Sequence, residues 1–161
     1  MLIIINENIS KNYLINGYFY NPNIFPPEEY EKRMNSLIIF RRYINFELFI
    51  GNYANKKWLD YIKGFESEKE GGKRCELCIR FRLESSACIA KSKKIKLFAT
   101  TLSISPHKNA DMINTIGREI ALKNNLCFLE KDFKEKGGFA KSVEISKKLN
   151  LYRQKYCGCN F

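Results

Sequence analysis

The sequence predicts an α/β domain built on a parallel sheet covered by helices on both faces. Three observations carry that prediction. Segments with the two-residue alternation of strands take turns with segments whose apolar residues recur every three or four positions. The 161 residues are 45% hydrophobic and 28% charged, the make-up of one compact domain spanning residues 1–161. A domain of about 150 residues buries roughly 70% of its unfolded surface, so it needs no covalent staples. The longest apolar runs, such as Leu37-Ile-Ile-Phe40, fall far short of the roughly 20 residues of a membrane span. Met1-Leu-Ile-Ile-Ile5 is too short for a signal-peptide core and has no basic flank. The chain is therefore expected in the cytoplasm, away from membranes.

In chain order, residues 13–20 read as a strand that ends at the turn Asn21-Pro-Asn-Ile24. Pro26-Pro27 opens a helix to about Tyr43, with Glu28 and Glu29 in the first turn, where carboxylates meet the positive end of the dipole. Residues 46–50 form a second short strand. Asn55 is expected to cap a short helix carrying Trp58 and Ile62, which stops at Gly64. Residues 75–92 are a helix with Ile79, Leu83 and Ala87 on one face. A strand over 96–101, a loop over 103–108, a helix over 111–123 burying Met112, Ile116 and Ile120, and a strand over 126–129 follow. A final helix over 139–149 precedes the tail 151–161. No internal repeat or low-complexity linker interrupts this order.

The charge is unevenly distributed. Residues 1–70 hold nine basic and nine acidic residues, whereas residues 71–161 hold nineteen and eight, which is the whole net charge of +11. All six cysteines lie in that basic part, at 75, 78, 88, 127, 157 and 159. Thiols beside a cationic surface point to a polyanionic partner. With no export signal, these cysteines read as thiols, metal ligands or a redox pair rather than a disulfide framework. Cys75-Glu-Leu-Cys78 at a helix start lets two thiolates converge on one ion, and the dipole there lowers thiol pKa values. Cys157-Gly-Cys159 allows a tight, reducible disulfide, with Gly158 supplying the backbone freedom. Cys88 and Cys127 are expected to be buried and inert. His107, the one histidine, precedes a helix start where anions bind. Asp132-Phe-Lys134 lies at a strand end, where an open parallel sheet places its ligands. No Gly-rich phosphate loop or nucleophile elbow supports nucleotide or serine hydrolysis.

An ordered set of motifs resembles the QueH-type epoxyqueuosine reductases. They are Phe19-Tyr-Asn-Pro-Asn-Ile24, Glu29-Tyr30 with Arg33, Gly72-Lys-Arg-Cys75 with Cys78, and Arg82-Leu83. Thr100-Thr-Leu102, Ser105-Pro-His-Lys-Asn109, Ile116-Gly-Arg118, Asp132-Phe-Lys134 and Gly137-Gly138 follow, with Leu151-Tyr-Arg-Gln154 and Tyr156-Cys-Gly-Cys159 at the end. The resemblance implies a Rossmann-like fold of the HUP type and reduction of epoxyqueuosine to queuosine at the tRNA wobble position, the last step of queuosine synthesis. It also implies a [4Fe-4S] cluster, with Cys75 and Cys78 as two ligands and Cys157 and Cys159 as a redox-active disulfide. The family's other two ligands, an adjacent Cys-Cys pair after its first strand, have no counterpart, since residues 1–74 contain no cysteine. Relative to the family, the chain is expected to lack the first strand and helix, to assemble an incomplete cluster and to reduce its substrate poorly.

Turning an epoxide into an alkene consumes two electrons and two protons. Acid–base side chains cannot supply electrons, whereas a dithiol or an iron centre can. His107, Asp132 and Tyr156 are candidate proton donors, and Tyr20 and Tyr152 candidate platforms for stacked bases. The residues leave two further readings open. One is a zinc-stabilised RNA-binding module using Cys75, Cys78, Cys157 and Cys159. The other is a thioredoxin-like oxidoreductase, although Cys75 has no strand immediately before it.

Overall fold

The computed structural model describes residues 14–159 and Phe161. The expected opening segment 1–13, including the first residue of the strand read at 13–20, lies outside them. The architecture is α/β, with parallel strand pairing throughout. β1 (Asn16–Phe19) pairs with β2 (Glu47–Ile50), and β3 (Leu97–Phe98) with β4 (Cys127–Phe128). Among the described residues these make two two-stranded sheets, where the sequence reading expected one continuous sheet.

Between β1 and β2 runs α1 (Pro27–Arg41), started by Pro26 and Pro27 with their fixed φ and carrying Glu28 and Glu29 in its first turn. It buries Tyr30, Leu37 and Phe40 against Phe19 and Phe46. α2 (Asn55–Tyr61) is short and buries Trp58. Asn55 does not cap it: Asn55 is the first helical residue, and its amide donates to the Pro22 carbonyl at 2.7 Å.

α3 (Lys73–Ser92) is the element common to both sheets. Tyr18 of β1 meets its Ser85 hydroxyl at 2.9 Å. Its opposite stripe, Ile79, Leu83, Ala87 and Ala90, packs with Phe98 of β3 and with Ile113, Ile116 and Ile120 of α4 (Ala110–Lys123). The Asn109 side chain accepts from the Met112 amide at 3.0 Å and caps α4. Gly117 lets α4 approach β4, since a Cβ there would stand 2.4 Å from the Phe128 ring. α5 (Gly138–Lys148) starts after Gly137, whose φ of +74° favours glycine. Its Ile145 and the following Leu149 and Leu151 close the core around α1.

Two expectations about cysteine fail here. Cys88 and Cys127 are exposed, not buried. Cys88 lies 100° around α3 from the buried Ala87, which carries it off the core stripe. Cys127 alternates with Phe128, whose ring faces Gly117, so the cysteine faces the other way.

Candidate redox site

The carboxyl ends of β3 and β4 are tied together by Ser103, fully buried, whose hydroxyl donates to the Lys131 carbonyl at 2.8 Å and accepts from the Phe133 amide at 3.3 Å. The N-terminus of α3 opens onto the same place. There Cys75, Cys78, Cys157 and Cys159 line one pocket with Trp58, Arg74, Arg82 and Lys108. Open parallel sheets bind ligands at this edge. Cys75 and Cys78 are one helical turn apart, and the Gly71 amide donates to the Cys75 sulfur at 3.2 Å. The sequence motifs at 75–78 and 157–159, 79 residues apart, thus meet in space.

None of the six cysteines is joined in a disulfide. The Cys159 thiol beside Cys157, then the Lys108 ammonium and Arg82, outweigh burial and hold Cys157 below the ordinary thiol range. The proton stays on Cys159, whose pKa is pushed up chiefly by the Cys157 sulfur and then by burial. Lys108 also holds Glu70 at 3.0 Å. At Cys78 burial prevails over the pull of Arg82 and pushes the thiol up, contrary to the expected lowering by the helix dipole.

Of the buried donors among the lining residues, Arg74 Nε has no acceptor, while the Trp58 N–H acts on the Cys78 sulfur, lowering its pKa against the stronger effect of burial. With three cations in the wall, the pocket suits anionic sulfur. The donor set is less complete than the polarity. Among the described residues no three His, Cys, Asp or Glu side chains are grouped to hold a metal ion. Cys75 and Cys78 fit half of the ligand set of a [4Fe-4S] cluster, and Cys88 and Cys127, exposed and outside the pocket lining, do not complete it. The same absence leaves the zinc reading without a site among the described residues.

None of the three candidate proton donors lines the pocket. His107 is exposed, and it is the next residue, Lys108, that turns inward. Asp132 is engaged by Lys134, which, against the effect of burial, holds its carboxyl below the usual range. Tyr156 donates to the Phe25 carbonyl. Of the two expected stacking tyrosines, Tyr20 already stacks on Tyr18 and Phe81, with centroids 5.9 and 6.1 Å away, while Tyr152 donates its hydroxyl to Glu29 at 2.6 Å and is exposed. The sequence reading missed Lys108, Arg74 and Trp58. The available signals were the cations inside two motifs, Arg74 in Gly72–Cys75 and Lys108 in Ser105–Asn109.

The backbone of the cysteine pair is held by α1. Arg33 donates from Nη1 to the Cys157 carbonyl at 3.0 Å and from Nη2 to the Tyr156 carbonyl at 3.1 Å. Its Nε donates to Glu29 at 2.8 Å. The Phe25 amide donates to the Gly158 carbonyl at 2.8 Å. Gly158 has a φ of +127°, and a Cβ there would lie 2.9 Å from Ile24, so only glycine fits between the two cysteines.

The family model described as "Epoxyqueuosine reductase QueH" matches residues 2–161. The chain is 41% identical to the epoxyqueuosine reductase QueH of Thermotoga maritima, over 89% of this chain and 77% of that protein. Against the proteins of the same name from Streptococcus pyogenes and Haemophilus influenzae the identities are 35% and 36%, over 90% and 88% of this chain. The alignments cover 59% and 58% of those two proteins, so the chain spans less than two thirds of their length. The sequence motifs, the meeting of both cysteine pairs in one pocket and these matches agree, and the chain belongs to the epoxyqueuosine reductase QueH family.

Proposed function

We propose that residues 1–161 form one reductase domain that converts epoxyqueuosine to queuosine in tRNA, with Cys157 and Cys159 as its two-electron donor. The observation that carries this reading is the convergence of Cys157 and Cys159 with Cys75, Cys78 and three cations at the carboxyl edge of the strands. The pair supplies both electrons. Both C–O bonds of the epoxide break and a C=C bond forms. The Cys157 thiolate and the Cys159 thiol give one S–S bond, and the oxygen leaves as water with the Cys159 proton and a second proton taken from solvent. An external thiol reductant then returns the disulfide to the dithiol.

In this reading the Cys157 thiolate is kept charged by Lys108 and Arg82, and the Cys159 thiol carries a proton into the site. Cys75 and Cys78 are the cluster-binding pair. Their two thiols fit only half of a cluster's ligands, so loading depends on donors beyond this chain's own cysteines, and the step above uses none of it. Of the nineteen basic residues of 71–161, those outside the pocket wall supply phosphate contacts to the tRNA. A cytoplasmic location follows from that substrate, and among the described residues no helix is long and apolar enough to cross a membrane.

The test is anaerobic incubation with epoxyqueuosine-containing tRNA and a thiol reductant, followed by mass spectrometry of the nucleosides. Loss of one oxygen from the modified base is expected with the parent chain, and none with Cys157→Ser or Cys159→Ser. Equal conversion by both variants sinks the assignment of the electron donor. Binding of an anticodon stem-loop should weaken roughly tenfold or more between low and physiological salt.

A further inference from the structure

We propose that Arg33, backed by Glu29, is a positioning residue that sets how readily Cys157 and Cys159 close into a disulfide. The inference rests on the redox reading of that pair. Arg33 and Glu29 are charged, yet their side chains are only 9% and 8% exposed. A buried ion pair is a poor source of stability compared with apolar packing, so its worth here lies in what it holds. The guanidinium fork spans two successive carbonyls, those of Tyr156 and Cys157, from 123 and 124 residues away. The other carboxylate oxygen of Glu29 takes the Tyr152 hydroxyl at 2.6 Å. Gly158 is gripped from the other side by the Phe25 amide. The backbone is thus fixed before and after Cys157, while both sulfurs remain in the pocket.

Closing a disulfide across one residue demands a narrow range of backbone geometry. A segment already held loses less conformational freedom on closure than a loose one. The charge of Arg33 is matched by Glu29 at 2.8 Å, which leaves geometry rather than electrostatics as its means of action. Lysine could carry the charge but not the planar fork.

The measurement is the closure equilibrium of the full chain in glutathione buffers, read by alkylation and intact mass. In that reaction glutathione disulfide takes up two electrons and two protons to give two glutathione thiols, while the two protein S–H bonds are replaced by one S–S bond. Arg33→Met should lower the closure constant about tenfold, equivalent to a rise of about 30 mV in the potential of the pair. Arg33→Lys should fall nearly as far. Tyr152→Phe, which removes only a hydroxyl, should shift the constant less and in the same direction. Thermal melting by circular dichroism checks that each variant is folded. The proposal is overturned if folded Arg33→Met lies within about twofold of the parent, well short of that shift, or if Arg33→Lys restores the parent value. If Arg33→Met does not fold, Tyr152→Phe decides, and an unchanged constant overturns the proposal. A parent chain whose pair never closes, even in the most oxidising buffer, overturns the redox reading and this inference together.

Discussion

The core around α3 and α4 and the core around α1 are built on different principles. The first is aliphatic: Ile79, Leu83 and Ala87 of one helix meet Ile113, Ile116 and Ile120 of the next, with a single ring, Phe98, buried among them. Each helix presents its own stripe, and the hydrogen bond that joins them, Arg80 to Glu119 at 2.8 Å, lies at the more exposed rim outside that stripe. The second is aromatic and laced with polar contacts. Phe19, Tyr30, Phe40 and Phe46 pack there, and Glu29, Arg33, Tyr53 and Tyr152 each hydrogen-bond across it. The first core therefore holds the sheet edge still, and the second holds the reactive segment.

The largest effect that would break this contrast is in the aliphatic core. Leu83→Ala should cost about 2–5 kcal/mol of unfolding free energy, measured by urea denaturation, because it leaves a cavity between two helices. Thiol titration of Cys157 in the folded fraction should be unchanged. Altered reactivity there would mean that the two cores are not separable.

One substitution made in each core sharpens the comparison. Gly117→Ala drives a methyl into the Phe128 ring and should cost about 1–3 kcal/mol with no redox consequence. Gly158→Ala meets Ile24 at a φ of +127° and should cost about 1–3 kcal/mol while also altering closure of Cys157 with Cys159. Denaturation and glutathione equilibration read the two effects separately.

A smaller effect is expected in acid. Burial works to raise the Glu29 carboxyl, but Tyr152 and Arg33 prevail and hold it below its usual value. Its contribution to stability is complete above the unfolded pKa of about 4.3 and is lost as pH falls through the lower folded value. Glu29→Gln should flatten that part of the stability–pH curve, and an unchanged acid limb would count against the clamp. The smallest effect is that of Tyr18→Phe, about 0.5–1.5 kcal/mol for the lost contact with Ser85, again by denaturation.

The same contrast governs what the sequence disclosed. Ile79, Leu83, Ala87, Ile116 and Ile120 were readable because a helix repeats its buried face every three or four residues. The parallel strands and the five helices of the described residues follow from that periodicity; the helix ends moved by a residue or two, whereas the strand read at 96–101 shortened to Leu97–Phe98 and the expected sheet divided in two. Cys88 was misplaced by one step of the same helix, and Asn55 was taken for a cap because its partner, Pro22, lies 33 residues away. Both cysteine pairs stood out by spacing. Their meeting did not, nor did the grip of Arg33 on Tyr156 and Cys157, because no periodic rule links positions more than a hundred residues apart. Lys108 was overlooked for its neighbour His107, since sequence does not say which of two adjacent loop residues turns inward.

The distance along the chain between Arg33 and its carbonyl partners has a consequence for synthesis. A ribosome adds residues at about 5–20 per second, so α1 emerges several seconds before residues 152–158 exist. During that interval Tyr30 and Phe40 lack Leu151, and the paired charges of Glu29 and Arg33 have nothing to hold. The α3–α4 hairpin, whose contacts are local, can fold in the meantime and present a finished docking edge. The reactive segment thus arrives last, onto a scaffold already assembled, and its backbone is fixed only when the fork of Arg33 reaches the Tyr156 and Cys157 carbonyls.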